Sequence, residues 1–214
     1  MPCEAQVSPL NIKNRETDMP IIQSVEVTAV SVPLDHVTSF STRTVSERHY
    51  CLVKVRSKDG HEGIGFCYVG SAAGELVKLA VEQLFAPKLI GQDSHRTEGI
   101  WQEMYTDSIL QGRSGSVMRA ISILDIALWD LNAHSVNLPL HRYLGSFVND
   151  RVPAYASGGY YLDGKTPAKL GKEMESYVKQ GFKAVKMKVG RLSPREEEER
   201  VRAARIAVGD DVLL

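Results

Sequence analysis

Two lysines set two residues apart, Lys186 and Lys188, are the residues best placed to do chemistry. In an extended strand alternate side chains share a face, about 6.6 Å apart along the chain. The Phe182-Lys183-Ala184-Val185 lead-in and the helical patterns on either side favour a buried strand. Val185, Met187 and Val189 would then face the surrounding helices, and both lysines would point inward. Lysine is almost never fully buried without a partner. A solvated strand face is the other reading of any K-x-K, and spacing alone does not choose between them. What a paired site offers is an amine base. An isolated alkylammonium stays charged well above neutral pH. A second cation about 6 Å away opposes that charge by about 3 kcal/mol at an effective dielectric of about 20, and desolvation acts in the same direction.

Other motifs carry less. Gly63-Ile64-Gly65-Phe66-Cys67-Tyr68 has no glycine at its sixth position and opens no helix, so it does not read as a dinucleotide fingerprint. The histidines, His36, His49, His61, His95, His134 and His141, never pair at i, i+4, so no zinc-binding helix is indicated. Asp210-Asp211 reads as a helix-to-strand turn and Glu196 to Glu199 as a solvated helix start. Trp101 and Trp129 fall in helical patterns and read as core.

The elements that must position the lysines follow from periodicity. Val25 to Val32 and His49 to Arg56 alternate at the strand period. Asp59-Gly60 marks a hairpin turn, and Gly63 to Phe66 is a third strand. Helical patterns run over Ala73 to Phe85, Ser94 to Tyr105 and Ser116 to His134, so residues 21–145 read as an α+β unit. After Gly145 the order changes. Arg151 to Ser157 reads as a strand, and Thr166-Pro167 opens a helix that stops at Gly181. Phe182 to Val189 is a second strand, Ser193-Pro194 opens a helix ending near Gly209, and Val212 to Leu214 begins a third strand. This alternation is that of a parallel α/β sheet or barrel, although a whole barrel takes about 250 residues. Residues 33–48, polar and poor in turn residues, read as a long loop, either functional or simply a mobile hairpin connection.

Taken in order, these features resemble the mandelate racemase and muconate lactonizing group of the enolase superfamily. The resemblance rests on the Ala127-Leu128-Trp129-Asp130-Leu131 helix, Leu138-Pro139-Leu140, Tyr143-Leu144-Gly145, Tyr155-Ala156-Ser157-Gly158, and Gly181 to Gly190 with its K-x-K. It covers about residues 21–214. One departure is Ser135-Val136-Asn137, where such proteins often carry glycine. Residues 1–20 read from their composition as a disordered tail, and the resemblance implies an α+β capping domain at 21–145 and, at 146–214, the first part of a (β/α)8-type barrel that stops in its third strand. It also implies that Lys188 is the general base that removes the proton α to a carboxylate, with Lys186 as its electrostatic partner. The loop at 33–48 and the segment around Phe66 to Gly70 would close over the barrel mouth, giving Ser41, Arg43 and Tyr68 as substrate-binding candidates.

In this family Mg²⁺ stabilises the enediolate and is held by carboxylates at the ends of the third, fourth and fifth strands. A chain ending at Leu214 precedes them, so the expectation is a parent enzyme that uses Mg²⁺, no metal bound by this chain, and no turnover by it. An acid-sugar dehydratase is favoured over a racemase as the parent. The alternative from another class is a non-catalytic capping or association protein.

Composition sets the bounds. The 214 residues are 43% hydrophobic and 24% charged, with 26 Lys plus Arg against 26 Asp plus Glu and a formal net charge of +0. No basic excess supports nucleic acid or an acidic membrane surface as a partner. Cys3, Cys51 and Cys67 form no C-x-x-C pair and suggest thiols in a reducing, cytoplasmic setting. No apolar run reaches the ~18 residues of a membrane span, and the charged first twenty residues read as a solvated tail rather than a secretory signal. The implied partner is a small carboxylate, with homo-oligomerisation in the full-length form.

Overall fold

A computed structural model describes residues 19–70, 72–145 and 151–214. Most of the expected tail, Cys3 included, lies outside the described residues. Strands β1 (Ile22–Phe40), β2 (Arg43–Ser57) and β3 (Glu62–Tyr68) form one sheet in the order β1-β2-β3. There follow α1 (Gly74–Ala80), a π-turn (Val81–Phe85), α2 (Ala86–Leu89), α3 (Thr97–Asp107), α4 (Gly115–Ser135) and α5 (Leu140–Tyr143). The remainder is β4 (Ala156–Ser157), α6 (Pro167–Lys179), β5 (Val185–Lys186) and α7 (Pro194–Val208). Among the described residues, no helix is long and apolar enough to cross a membrane.

The polar stretch 33–48 is not the long loop its composition suggests. Strand continues through it, and Ser41-Thr42, with Ser41 at φ 46°, is the whole turn. Polar side chains meet across the hairpin instead of alternating against a core. The Ser39 and Thr44 hydroxyls lie 3.1 Å apart, and Ser31 Oγ donates to Glu47 Oε2 at 2.6 Å. Pairing of this kind holds a ladder in register without an apolar face.

The chain divides into two compact units. One comprises the described residues through Thr28 with Leu52–Phe66 and Val77–Leu140. Its core sets Ile22, Val53 and Val55 of the strands with Phe85, Leu89, Ile100, Met104 and the α4 residues Ile121, Ile123, Leu124, Leu128 and Leu131, all buried. Gly63 and Gly65 let β3 lie directly on α4. A Cβ at Gly63 would collide with the Ala127 carbonyl oxygen and the Leu131 amide, and one at Gly65 with the Ile123 carbonyl. The alternate residues Ile64 and Phe66 face outward, 61% and 62% exposed, and the Ile64 amide donates to Asp130 Oδ2 at 2.9 Å. The G-x-G is therefore a packing motif within the strand expected at Gly63 to Phe66. Ser94 and Asn132, both fully buried, satisfy each other through Ser94 Oγ to Asn132 Oδ1 at 2.6 Å and Asn132 Nδ2 to the Ser94 carbonyl at 2.8 Å. Trp101 and Trp129 are only half-buried, which corrects their reading as core. Trp101 stacks on Tyr105 with ring centroids 5.0 Å apart, so its period in the helix reports contact with a neighbour rather than full enclosure.

The other unit comprises Ala29–Cys51, Cys67–Leu76 and His141–Leu214. Here β4 and β5 pair in parallel, Ala156 with Val185 and Ser157 with Lys186, and Ala184 bridges Leu213 in parallel. The result is strand, helix, strand, helix and a bridging residue at Leu213, the opening of a (β/α) barrel. The helix starts follow their caps. Thr166 accepts from the Lys169 amide, and Ser193 forms a reciprocal capping box with Glu196. The core is Ala156, Leu170, Met174, Val185, Ala204, Val208 and Val212. Both barrel strands are shorter than their sequence patterns. Val152 and Tyr155 are exposed, and Val189 is 53% exposed rather than packed under the helices. Past the ladder the two segments stay bonded, the Gly158 amide to the Lys186 carbonyl at 2.9 Å and the Lys188 amide to the Gly159 carbonyl at 3.4 Å, and Gly159 (φ 66°) and Gly190 (φ 96°) lie in the turns that follow.

The flush β3–α4 contact yields a sharp expectation. Gly63→Ala should destabilise the protein by about 1–3 kcal/mol, whereas Ile64→Ser on the exposed face should stay within about 0.5 kcal/mol. Urea denaturation midpoints measure both, and equal effects would show that the close approach is not a constraint.

Candidate active site

Pairing with β4 and burial of Val185 fix which way the lysines point. Val185 is 4% exposed within the α6–α7 core and Met187 packs against that core. By alternation, Lys186 and Lys188 project from the opposite face. Lys186 Nζ lies 6.0 Å from the Tyr155 ring centroid, and Lys188 Nζ lies 5.1 Å from that of Tyr160. Lys188 Nζ also donates to Ser157 Oγ at 3.4 Å. Both ammonium groups thus stand on the face shared with β4, each near an aromatic ring. Lys186 is exposed and Lys188 half-buried.

Two glutamates secure the loops that follow these strands. Glu173 of α6 accepts from the Gly159 amide at 3.1 Å and the Tyr177 hydroxyl at 3.0 Å, and it pairs with Lys165. Burial, reinforced by the Glu173 charge, pushes the Tyr177 hydroxyl up to about 12. Glu197 of α7 does the same for the lysine strand. Its Oε1 accepts from the amides of Gly190 (3.1 Å), Arg191 (3.0 Å) and Leu192 (3.0 Å), and from the Tyr161 hydroxyl. Arg200, 3% exposed, lies 3.4 Å from Glu197 Oε2 and 4.1 Å from the Tyr161 ring centroid. It donates to the carbonyls of Gly159 at 3.1 Å and Lys188 at 3.4 Å. One guanidinium therefore ties the ends of both barrel strands together. Burial works against the charge of Glu197, but hydrogen bonds from Tyr161 and the three amides outweigh it and hold the carboxyl below its ordinary range. Burial, followed by the Glu197 hydrogen bond, raises Tyr161. The solvated reading of Glu196 to Glu199 thus fails at Glu197, whose role depends on a loop that folds back onto it.

A cavity of about 270 Å³ lies beside the lysine site, lined by Thr38, Phe40, Val45, Arg48, Tyr50, Tyr68 and Tyr160. Tyr160 serves both places, as cavity wall and as the ring under Lys188. Of the three substrate candidates on the capping segments, Tyr68 lines this cavity. Ser41 and Arg43 stand exposed at the hairpin tip and do not line it, although the Ser41 carbonyl accepts from Arg191 Nη1 at 3.5 Å. The sequence reading missed Tyr160, Tyr161, Glu173, Glu197 and Arg200. The Gly158-Gly159-Tyr160-Tyr161 run directly after the first barrel strand was the signal available for the tyrosines.

Comparison with known proteins gives this geometry a context. The family described as "Mandelate racemase / muconate lactonizing enzyme, N-terminal domain" matches residues 22–145, and "Enolase C-terminal domain-like" matches residues 169–214. Arabinonate dehydratase of Saccharolobus solfataricus is 35% identical over 75% of this chain and 43% of its own length. The 3,6-anhydro-alpha-L-galactonate cycloisomerase of Streptomyces coelicolor is 33% identical over 91% of this chain and 53% of its own. The solved L-talarate/galactarate dehydratase of Salmonella typhimurium LT2, liganded with Mg and L-lyxarohydroxamate, superposes with a TM-score of 0.84 at 27% identity, covering 99% of this chain and 55% of that one. The chain spans about half the length of the curated relatives it matches.

The residues described do not themselves make a site for the relative's Mg. Among them, no three His, Cys, Asp or Glu side chains cluster closely enough to hold a metal. The two glutamates nearest the lysine strands are committed, Glu173 to Lys165 and Glu197 to its amides and Arg200. Asp210 and Asp211 lie exposed in the turn before Val212.

The Glu197 clamp carries a pH signature. Its folded-state carboxyl ionises below the unfolded value of about 4.3, so the ionised form favours folding. That contribution is complete above about pH 5 and is lost as the pH falls through the depressed value. Glu197→Gln should cost about 1–3 kcal/mol near pH 7, with the difference from the parent chain shrinking towards pH 3. Denaturant titrations across that range measure it, and a pH-independent difference would contradict the account.

Proposed function

The chain belongs to the mandelate racemase and muconate lactonizing group of the enolase superfamily, and we propose that it carries the proton-abstracting half of an acid-sugar dehydratase. In this reading residues 21–145 are the capping domain and 146–214 the first part of the barrel. Lys188 is the general base and Lys186 its electrostatic partner. The observation that supports this most is the shared orientation of the two lysines, opposite the buried Val185 and the half-buried Met187, with Lys188 Nζ over Tyr160 and beside Ser157.

The chemistry assigned to these residues is limited. With Lys188 unprotonated, its Nζ takes the proton α to the substrate carboxylate, and the C–H electron pair passes into that carboxylate as an enediolate. The Lys186 ammonium, on the same face, favours the accumulating negative charge. Ser157 and the Tyr160 ring hold the Lys188 amine in place. In dehydration the electron pair then expels the β-hydroxyl, whereas a racemase would return a proton to the opposite face of the α-carbon. A bound Mg²⁺ supplies further charge stabilisation in such enzymes. Because the described residues do not form its site, the 214 residues are proposed to be catalytically silent by themselves, as a fragment of a longer, cytoplasmic and homo-oligomeric enzyme. Ser41, Arg43 and Tyr68 are proposed to contact substrate.

The test uses the whole protein that contains this chain and an acid-sugar substrate in D₂O. Lys188→Ala should lower α-proton exchange by about 10²–10⁴-fold, the usual worth of a general base. Lys186→Ala should lower it by less, and the 214 residues alone should give none above background. Exchange retained within tenfold in the Lys188 variant would refute the assignment. Exchange by the isolated 214 residues would refute their silence.

A further inference from the structure

Cys51 of β2 and Cys67 of β3 are both thiols, the first fully buried and the second half-buried. Contacts at both ends of the β2–β3 hairpin fix how the two strands face each other. Beside the turn, the Ser57 amide donates to the His61 carbonyl at 2.9 Å, and Arg56 Nε donates to Glu62 Oε1 at 2.8 Å. At the far end the Val69 amide donates to the His49 carbonyl at 2.9 Å, and the Tyr50 and Tyr68 rings meet with centroids 5.7 Å apart. His49 to Ser57 and His61 to Val69 are runs of equal length, so one register holds from end to end. Two residues in from the His49–Val69 pair, that register sets Cys51 directly opposite Cys67. Alternation puts both side chains on the face that carries the buried Val53 and Val55. A hydrogen-bonded pair holds its Cα atoms about 5.5 Å apart, inside the roughly 4.4–6.8 Å that a disulfide spans. The strands are thus already spaced for a sulfur–sulfur bond.

We propose that Cys51 and Cys67 are a redox modification site, a dithiol at rest that closes to a reversible cross-strand disulfide when a low-molecular-weight disulfide is in excess. The half-buried Cys67 meets the oxidant. As a thiolate it attacks one sulfur, forming a mixed disulfide and releasing one small thiolate. The Cys51 thiol then gives its proton to water and attacks Cys67 Sγ, closing the protein bond and releasing the second small thiolate. The protein loses two protons and two electrons, and the oxidant is reduced to two thiols. The bond fastens β2 to β3 beside the end of β3 at Tyr68, the end remote from the hairpin turn. No catalysis is needed to observe it.

The 214-residue chain carrying Cys3→Ser, incubated with oxidised glutathione, tests the proposal. Peptide mass spectrometry without reduction should find Cys51 and Cys67 cross-linked, lighter by two hydrogen atoms and separated again by dithiothreitol. The oxidised protein should melt about 5 °C above the reduced one. That difference should vanish in Cys67→Ser and in Cys51→Ala, with folding checked by circular dichroism. Because Cys51 is fully buried, the mass spectrum of the chain that keeps both thiols decides the matter even where Cys51→Ala fails to fold. Glutathione retained on Cys67 without a cross-link, two unmodified thiols, or a cross-linked protein that melts no higher than the reduced one would overturn the proposal.

Discussion

The structure around the lysines depends on one constraint, the two-residue period of a strand that is buried on one side only. Val185 is locked into the α6–α7 core and its partner Ala156 is buried with it, so the register of β4 on β5 has no freedom to slip. A one-residue slip would drive Lys186 or Lys188 into a cluster of Leu170, Met174 and Ala204, an environment in which an unpaired ammonium is costly. Core packing thus decides where the two charges stand, and the site inherits its geometry from the hydrophobic face behind it.

Short strands make poor platforms, and the two-residue ladder of β4 and β5 would leave their ends loose. The helices compensate from behind. Glu173 reaches back from α6 to the loop after β4, and Glu197 reaches back from α7 to the loop after β5. Arg200 joins the two by bonding the carbonyls of Gly159 and Lys188. A half-buried carboxylate that collects several amides, as Glu197 does, is a strong and directional restraint, and removing it leaves those amides unsatisfied. The backbone on either side of Lys188 is therefore held by side chains of the helix behind it. Such support from behind narrows the geometries open to the Lys188 backbone.

The legible features were those with local causes. Asp59-Gly60, Thr166-Pro167, Ser193-Pro194, Gly181 and Gly209 each carry their chemistry within a few residues, and the turns, caps and stops stand where those residues place them. The lysines were legible because alternation with Val185 and Met187 is itself a sequence pattern. The hairpin at 33–48 was hidden because its strands are held by Ser31–Glu47 and Ser39–Thr44 contacts rather than by an apolar stripe. Glu197 was hidden inside an acidic run in which four glutamates look alike, since only the returning loop of residues 190–192 distinguishes it.

Family membership and relatives that act on sugar acids supply the chemistry to which such a lysine pair is suited, but that chemistry depends on the side-chain orientation. Nuclear Overhauser spectroscopy on protein labelled at methionine methyls, lysine side chains and tyrosine rings measures the orientation directly. Contacts from the Met187 methyl to the α6–α7 core, together with contacts from the Lys188 ε-methylene to the Tyr160 ring, are the predicted result. Contacts from Lys188 to Leu170 or Met174, with Met187 against solvent, would contradict the account at its base.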